Sequence, residues 1–373
     1  MKILLVGVGG YAVGYVVSLL KNTDPSIIFE GAVDPYFASS SKKQEIEEAG
    51  IPVFDTMEQF YREHDADLAI ICTPPFLHRE QSICALSHGS YVLCEKPIAP
   101  TLDEAEQMLR AEQEYGKWIA IGFQWSFIEA MRDLKKDILS GRLGKPIAFK
   151  TATSWPRGLS YYAKERGWNG RITKGGITIL DSIASNACAH FLHNMLFMLG
   201  EGMDECAEAE ELAVDCYRAN DIETFDTCSV KMTAKGVPMY LIASHATEKR
   251  KDPEFVYLFE NAEVRYSQSE KPDIIATFAD GTVKSYGDPF RDRYVAIWDC
   301  INAIRQGSVP ICTVKTAIPH TRLVERIYAN AVVNEFPSEL VVFDEAEKRV
   351  FVKGLYDLMY RAYDITAMLS EML

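Results

Sequence analysis

The sequence lacks several features that would assign it to particular classes of protein. Its nine cysteines include no C-x-x-C pair, so we expect reduced, buried thiols in a cytoplasmic protein. We expect no signal peptide, because an apolar strand that contains Lys2 begins at once, and no apolar run approaches the roughly 18–20 residues that cross a bilayer. Basic residues are in the minority, with 39 Lys and Arg against 53 Asp and Glu and a net charge of −14. This balance argues against nucleic acid or an anionic membrane as the main partner.

Internal repeats, low-complexity segments and clusters with metal-ligand spacing are also missing from the sequence. His190 and His193 stand three positions apart, but no third ligand accompanies them, so no bound metal is expected. What is present is an ordinary globular composition, 48% hydrophobic and 25% charged, in 373 residues. That length suggests about two domains, each with its own core.

The order of sequence patterns divides the chain near Gly122. Residues 1–121 alternate strands and helices, which predicts βαβ units in a doubly wound, parallel Rossmann sheet. After a helix at about 125–140, strands with short turns predict an α+β domain with a large, mostly antiparallel open sheet. We therefore predict an α/β protein with a dinucleotide-binding domain over 1–122 and a substrate-binding and oligomerisation domain over 123–373. Further helices are predicted at about 180–199, 291–306, 314–334 and 344–372.

The first residues carry a nucleotide-binding pattern of strand, glycine-rich turn and helix. In the G-x-G-x-x-A turn, Gly7 permits the tight turn and Gly9 lets the backbone approach a pyrophosphate. The small Ala12 lets the helix pack close to the strand, and the helix start at Gly10 and Tyr11 offers N–H groups to phosphates. A turn without a ligand is the alternative, but this order of elements favours a dinucleotide site.

Asp34 ends the second predicted strand, 22 positions after Ala12. A carboxylate there can accept hydrogen bonds from the ribose hydroxyls of adenosine and repels a 2′-phosphate. No Arg follows it, so NAD is expected as the cofactor in preference to NADP. Asp34 could instead be a turn residue before Pro35.

Two further loops follow predicted strands of the parallel sheet, where ligands bind in this fold. The first carries Thr73, Pro74, Pro75 and His78, and the second carries Glu95, Lys96 and Pro97. The cation of Lys96 could polarise a substrate hydroxyl or lose a proton beside the nicotinamide ring, with Glu95 positioning the amine. The alternatives are an ordinary histidine at the start of a helix for His78 and a surface ion pair before a turn for Glu95 and Lys96.

These motifs, together with Gly122-Phe123-Gln124, resemble in order and spacing those of the glucose–fructose oxidoreductase/inositol dehydrogenase (Gfo/Idh/MocA) family. The resemblance implies a Rossmann domain followed by an open antiparallel sheet domain. It also implies oxidation or reduction of a sugar, polyol or related carbonyl compound with NAD(H) or NADP(H). Lys96 would be the catalytic lysine, Gln124 would bind the cofactor, and Trp125 would lie near the substrate.

The same resemblance places a second group of catalytic residues on the helix predicted at 180–199. His190 falls on the family's catalytic histidine, Asn186 stands where Asp is usual, and His193 stands where another Asp is common. Their spacing of i, i+4 and i+7 would put all three on one helix face. Asp181, one turn earlier, could supply the missing carboxylate, or it could be the helix N-cap.

The loop over 154–171 is rich in aromatic and guanidinium groups. Trp faces pack on sugar rings and Arg side chains bind hydroxyls or carboxylates, so substrate contacts are expected from Trp155, Arg157, Trp168 and Arg171. A packed surface loop or an oligomer contact is the alternative.

The favoured interpretation is an NAD(H)-dependent oxidoreductase acting on a carbohydrate-like substrate and forming a homodimer or homotetramer through its exposed sheet. A second possibility is redox-assisted glycoside hydrolysis with bound NAD, as in some family relatives. A third is a non-catalytic dinucleotide-binding or sensor protein, which the departure at Asn186 suggests.

Overall fold

The structure, a computed structural model, describes residues 1–162 and 167–373. It divides the chain into one unit formed by Met1–Phe127 and Asp292–Ile318 and a second formed by Ile128–Arg291 and Pro319–Leu373. The predicted single boundary at residues 122 and 123 differs from this division, because a later segment returns to the first unit. There Ile121 donates a backbone hydrogen bond to Cys312 over 2.8 Å.

Parallel strands form the sheet of the first unit. They are β1 (Lys2–Val6), β2 (Ile28–Val33), β3 (Val53–Phe54), β4 (Leu68–Ile71), β5 (Tyr91–Cys94) and β6 (Ile119–Ile121). All four residues of β4 are buried, as expected for a parallel strand covered on both faces. The strand order β3-β2-β1-β4-β5-β6 is that of a doubly wound dinucleotide fold, which confirms the predicted parallel sheet.

Helices connect these strands, and one more helix follows β6. The connecting helices are α1 (Val13–Leu20), α2 (Lys43–Glu48), α3 (Met57–Glu63), α4 (His78–Ser87) and α5 (Leu102–Tyr115), and the helix after β6 is α6 (Gln124–Phe127). The ends of α5 show how the sequence sets their limits. The Thr101 hydroxyl accepts the Glu104 N–H at 3.3 Å, and Gly116 ends the helix at φ +64°.

The second unit contains most of the remaining elements. Up to residue 291 they are α7 (Glu129–Leu139), β7 (Pro146–Ser154), α8 (Leu159–Tyr162), β8 (Thr173–Lys174), β9 (Ile177–Thr178), a π-helical turn (Ile183–Ala187), α9 (Ala189–Met198), β10 (Leu212–Arg218), β11 (Thr227–Ala234), β12 (Val237–Ser244), β13 (Lys251–Phe259), β14 (Ala262–Ser267), β15 (Lys271–Phe278) and β16 (Val283–Gly287). The elements that follow are α10 (Val295–Gln306) in the first unit, α11 (Val314–Asn330), which passes from the first unit to the second, and β17 (Val333–Glu335), β18 (Val341–Asp344), β19 (Arg349–Val352) and α12 (Leu355–Ile365) in the second.

The main sheet of the second unit has the order β16-β15-β14-β13-β7-β12-β11-β10-β17. Only the β7–β12 and β10–β17 pairs are parallel, which confirms the predicted large, mostly antiparallel sheet. Helix α9 contacts one face, where the Asn194 amide donates to the Tyr257 hydroxyl over 2.8 Å. Helix α12 covers part of the other face, and just beyond it the Tyr240 hydroxyl donates to the Ala367 carbonyl over 2.6 Å.

The predicted helix over 344–372 is wrong in its first part. Residues 341–352 form the β18–β19 hairpin, and α12 begins only at Leu355. The sequences of the two strands, Val-Val-Phe-Asp and Arg-Val-Phe-Val, are rich in β-branched and aromatic residues that favour strands. Lys348 adopts a left-handed conformation in the connecting turn, with φ +48°.

Candidate active site

The glycine-rich turn after β1 leaves room for a ligand against the backbone. Gly7 adopts φ +85°, and a Cβ there would lie 2.6 Å from the Cys72 carbonyl oxygen, so this position requires glycine. A Cβ on Gly9 would meet nothing within 4 Å. The Gly9 position therefore faces open space next to the helical turn Gly10–Ala12 and α1, where a pyrophosphate could approach the backbone.

Asp34 lies where β2 ends and is connected to the glycine-rich turn. Its carboxylate accepts the Val8 N–H at 3.0 Å and the Tyr36 N–H at 2.8 Å. Each carboxylate oxygen can accept more than one hydrogen bond, so these two contacts do not by themselves exclude a ribose hydroxyl. The position fits the sequence expectation for a residue that binds adenosine ribose.

Three tyrosines lie beside the start of α1. The Tyr11 hydroxyl donates to Oε1 of Gln124 over 2.7 Å, which brings together two of the predicted cofactor-binding residues. Tyr294, in the segment that returns to the first unit, packs against Tyr11 and Tyr15 with ring centroids 5.2 and 5.1 Å apart. A Cβ on Gly14 would lie 1.8 Å from the Tyr294 ring. The sequence analysis missed Tyr294, although a glycine inside a helix is a signal of such close approach.

The Glu95 carboxylate is buried next to this cluster. It accepts a hydrogen bond from the Tyr15 hydroxyl at 2.6 Å and one from the Lys96 backbone N–H at 3.2 Å. Burial raises the pKa of Glu95, while the Tyr15 hydroxyl and the Lys96 cation oppose the rise. A Cβ on Gly122 would lie 2.9 Å from this carboxylate, so Gly122 makes room for it. Glu95 is thus a buried anchor for the backbone of Lys96 rather than half of a surface ion pair.

The loop after β4 is tied to the Glu95-Lys96-Pro97 loop by His78. Its Nδ1 lies 2.9 Å from the Pro97 carbonyl oxygen, and its Nε2 lies 2.9 Å from that of Thr73. Burial lowers the pKa of His78, and the carbonyl contacts oppose the change. Pro74 and Pro75 start the short helical turn before α4, and the Thr73 hydroxyl donates to Gln81 at 2.5 Å. His78 therefore connects the two loops, and both of its ring nitrogens contact backbone carbonyl oxygens.

In the second unit, Asp181 and Asn186 are joined directly. The Asn186 amide donates to Oδ1 of Asp181 over 2.9 Å, and Oδ2 accepts the Gly170 N–H at 2.7 Å. The alternative that Asp181 is the helix N-cap is wrong, because Ser182 caps the π-helical turn. The Ser182 hydroxyl accepts the Ser185 N–H, and the Ser185 hydroxyl accepts the Ser182 N–H. Asp181 instead places its carboxylate next to position 186.

The predicted common helix face for Asn186, His190 and His193 is also corrected. Asn186 lies in the π-helical turn, whereas α9 starts at Ala189, so one helical period does not extend over all three. His190 is partly exposed, but only 1% of His193 is exposed. Burial lowers the pKa of His193 well below its usual value, with His320, His190 and Lys135 adding to the effect. His193 packs on Phe197 in the core of the second unit, with ring centroids 5.8 Å apart.

The aromatic and basic residues of the loop after β7 have different surroundings. The Trp155 indole N–H donates to Asp252 at 2.8 Å, and its ring lies 5.7 Å from Phe191. Arg171 is exposed and forms an ion pair with Glu223 at 3.3 Å. Trp168 is partly buried. Trp125, in α6 of the first unit, is 2% exposed. Residues 163–166 of this loop lie outside the described residues.

Within residues 1–162 and 167–373, no group of three or more His, Cys, Asp and Glu side chains could hold a metal ion. In the same part of the chain, no helix combines the length and apolarity needed to cross a membrane.

Comparison with known proteins bears on the first unit most directly. Residues 1–123 match the sequence profile of an oxidoreductase family with an NAD-binding Rossmann fold, the Gfo/Idh/MocA family. A 1,5-anhydro-D-fructose reductase of Ensifer adhaerens is 34% identical over 134 residues, which cover 35% of this chain and 39% of that protein. A 2,7-anhydro-N-acetylneuraminate hydratase of Mediterraneibacter gnavus is 31% identical over 146 residues, covering 39% of this chain and 38% of that protein. The chain thus matches less than half of the length of these relatives.

Solved structures resemble the chain over most of its length. The UDP-N-acetylglucosamine 3-dehydrogenase GnnA from Acidithiobacillus ferrooxidans superimposes with a TM-score of 0.72 at 17% identity, covering 89% of this chain and 97% of that one. An aldose-aldose oxidoreductase from Caulobacter crescentus gives a TM-score of 0.71 at 18% identity, covering 88% and 97%. At these identities the similarity concerns the fold. The family resemblance seen in the sequence is confirmed over residues 1–123, which match the Rossmann-fold profile of the Gfo/Idh/MocA oxidoreductases.

Proposed function

We propose that this protein is an NAD(H)-dependent oxidoreductase that acts on a sugar, a polyol or a related carbonyl compound. The observation that carries the proposal is the open backbone at Gly9 beside Asp34, whose carboxylate is fixed by the Val8 N–H at 3.0 Å. Gly9, Gly10 and Tyr11 would hold the pyrophosphate, and Asp34 would hold the adenosine ribose. NAD, when bound, supplies hydride transfer at C4 of its nicotinamide.

The substrate class follows from the named relatives. Matched proteins include the reductase of 1,5-anhydro-D-fructose and inositol 2-dehydrogenases such as that of Mycolicibacterium vanbaalenii, which is 35% identical over 86 residues. These names describe a sugar derivative and a cyclic polyol. We extend them to this chain as a carbohydrate-like alcohol or carbonyl substrate.

Lys96 is proposed to stabilise charge on the reacting substrate oxygen and to relay its proton. The Glu95 carboxylate accepts the Lys96 backbone N–H at 3.2 Å, which fixes the Lys96 backbone. A fixed backbone limits where the ammonium group can reach, which is the requirement for a positioned catalytic cation.

His190 is proposed as the general acid and base for the substrate hydroxyl proton, and Asp181 as the carboxylate that supports the same chemistry. Asn186 cannot take up a proton, but its amide holds Asp181 at 2.9 Å and can orient a hydroxyl. This arrangement supplies a carboxylate next to position 186 despite the Asn.

The test combines cofactor binding with turnover. Calorimetric titration of the protein with NADH and NADPH should give tighter binding of NADH. Asp34→Ser should weaken NADH binding and reduce the difference in affinity between NADH and NADPH. A sugar and polyol panel with NAD should then yield NADH, and Lys96→Ala and His190→Ala should each lower kcat about 10²- to 10⁴-fold with little effect on NADH affinity. The double variant should lose less than the product of the two single losses.

The outcomes separate this proposal from its alternatives. Release of a glycosidic leaving group without net NADH would indicate redox-assisted hydrolysis. Tight NAD binding without turnover of any substrate would indicate a sensor. Near wild-type turnover in both single variants on a confirmed substrate would overturn the roles given to Lys96 and His190.

We also propose that copies of the chain associate through the sheet of the second unit. A groove of about 590 Å³ lies on this sheet beside the end of α12, and its lining includes Leu212, Met239 and Leu258. Apolar surface of this kind is commonly covered by self-association. Light scattering at micromolar concentration should give the mass of a dimer or tetramer, and a stable monomer would contradict the proposal.

A further inference from the structure

Arg157 stands over aromatic rings in the loop after β7. Its guanidinium carbon lies 4.9 Å from the ring centroid of Tyr161 and 5.9 Å from that of Trp155. Its backbone N–H donates to the His245 carbonyl oxygen at 3.1 Å, which fixes the base of the side chain. The side chain is partly exposed, so a ligand could reach the guanidinium group.

Within the described part of the chain, no carboxylate lies within 4.0 Å of the Arg157 guanidinium group and no side chain or carbonyl accepts a hydrogen bond from it. The Nε atom is buried without an acceptor there. Aromatic faces hold the plane of a guanidinium group but leave its N–H edges without acceptors. Arg250, also 5.9 Å from the Trp155 ring, differs because it pairs with Asp252 at 2.7 Å.

The total charge of the chain makes this arrangement informative. Acidic residues outnumber basic ones by 53 to 39, so partners for an arginine are plentiful. The neighbouring His245 adds no second positive charge and supplies no counter-charge, because burial and then the Arg157 cation lower its pKa to about 3, which keeps the ring neutral. Arg157 therefore presents a positive charge that the surrounding described residues leave uncompensated.

Arg157 and Asp181 both act on Tyr161, whose ring lies 4.9 Å from the Arg157 guanidinium carbon. Burial raises the pKa of Tyr161, followed by the negative charge of Asp181, while Arg157 opposes the rise. Tyr161 is therefore within electrostatic reach of both Asp181 and Arg157. On the other side, Trp155 packs against Phe191, the residue after His190.

We propose that Arg157 binds an anionic group, a carboxylate or a phosphate, carried by the substrate. The inference rests on the proposed function and narrows its substrate class to acidic or phosphorylated sugar derivatives. A guanidinium group binds both anions through paired N–H donors, and stacking on Tyr161 prepares its orientation. Neutral polyols would leave this cation without a partner.

The experiment measures binding and requires no turnover. The wild-type protein with NADH is titrated calorimetrically with D-glucose, D-glucuronate and D-glucose 6-phosphate at constant ionic strength. We expect tighter binding of one or both anions than of glucose, and the preferred anion identifies the group as carboxylate or phosphate. Equal binding of all three sugars, or binding of none, would overturn the proposal.

Three variants at two arginines test whether the anion preference depends on Arg157. Arg157→Gln should weaken binding of the preferred anion about 10- to 100-fold, as expected for loss of a charged hydrogen-bond donor, and reduce the preference for that anion over glucose. Arg250→Gln is the matched control, because Arg250 lies at the same distance from Trp155 but is already paired. Arg157→Lys, which keeps the charge, should retain part of the preference and serves if the Gln variant does not fold. Equal losses in the Arg157 and Arg250 variants would also overturn the proposal.

This result is separable from the test of the proposed function. Selective anion binding through Arg157 without any NADH formation would count against the dehydrogenase and leave the anion site standing. NADH formation with neutral polyols, together with unchanged kinetics in Arg157→Gln, would do the reverse.

Discussion

The amide of Asn186 donates a hydrogen bond to the carboxylate of Asp181 over 2.9 Å. The second oxygen of that carboxylate is held by the Gly170 N–H at 2.7 Å, and the Asp181 carbonyl oxygen accepts the Thr224 hydroxyl at 2.7 Å. The carboxylate is therefore fixed from two sides. In the family that the sequence resembles, an Asp is usual where this chain has Asn186, and here the Asp181 carboxylate lies against that position.

Exchanging the two residues tests whether the pair works as one carboxylate. Asn186→Asp alone would put two carboxylates within hydrogen-bond distance, and like charges there favour sharing one proton. We expect kcat to fall about tenfold at pH 8 and to recover partly at pH 6, where one of the two is protonated more readily. Asp181→Asn should also lower kcat, because no carboxylate remains.

The double variant Asp181→Asn/Asn186→Asp again has a single carboxylate, now at position 186 instead of position 181. It should recover more activity than either single variant, as measured by kcat over a range of pH. A double variant as slow as the product of the single losses would show that the position of the acid, or another group, determines the rate.

Gly9→Ala should separate cofactor binding from folding. Gly9 has φ −110° and ψ 167°, a conformation open to alanine, and the added Cβ meets nothing within 4 Å. The thermal stability of the cofactor-free protein should therefore stay close to wild type, while NADH affinity falls because the methyl group occupies the space of the pyrophosphate. Calorimetry and thermal unfolding measure the two quantities.

Gly7→Ala provides the contrast, since its Cβ would lie 2.6 Å from the Cys72 carbonyl oxygen at φ +85°. It should destabilise the cofactor-free protein by about 1 kcal/mol or more. Unchanged NADH affinity in a folded Gly9→Ala variant would remove the turn after β1 from the binding site.

Tyr15→Phe should reveal the buried charge of Glu95. The Tyr15 hydroxyl donates to that carboxylate over 2.6 Å and lowers its pKa against the effect of burial. Without the hydroxyl the pKa of Glu95 rises further, so the variant should lose about 1–3 kcal/mol of stability at pH 8 and less at pH 5, where protonation removes the uncompensated charge. Tyr11→Phe is the control, because its hydroxyl donates to Gln124 instead. Equal pH dependence in the two variants would refute an ionised Glu95.

The Rossmann sheet could be predicted from the sequence because short, contiguous sequence patterns specify its strands and its glycine-rich turn. The continuous apolar strands and the G-x-G-x-x-A turn specify β1, α1 and the end of β2 within the first 34 residues, and the structure places Gly9 and Asp34 as that pattern requires. Strand signals in the second unit were similarly clear for β11 and β12. The hairpin β18–β19 was missed because periodicity over a short apolar run does not distinguish a strand from a helix.

What the sequence could not predict depends on contacts between distant residues. Tyr294 packs against Tyr11 across 283 positions, and no local pattern connects them. The π-helical turn breaks the helical period between Asn186 and His190, so a common face drawn from regular spacing was wrong. Ser182, and not Asp181, caps the π-helical turn, because its hydroxyl and the Ser185 side chain accept backbone N–H groups at the start of that turn. The Asp181 carboxylate instead accepts hydrogen bonds from the Gly170 N–H and the Asn186 amide.

A final prediction concerns Glu112 in α5, whose carboxylate accepts the Ile119 N–H at 2.6 Å. Burial raises the pKa of Glu112 from 4.5 to about 7, with the backbone hydrogen bond opposing the rise. Between these two pH values the folded protein retains a proton on Glu112 that the unfolded chain releases. The stability of the protein therefore falls as the pH rises through this window, by up to about 3 kcal/mol.

Glu112→Gln keeps the size of the side chain and an acceptor for the Ile119 N–H but cannot ionise. Its free energy of unfolding relative to wild type should therefore increase between pH 5 and pH 8, measured by urea unfolding of the cofactor-free protein. Glu114→Gln, exposed on the same helix, controls for the change in net charge. A Glu112→Gln difference that is the same at both pH values would show that this carboxylate does not hold its proton in the folded state.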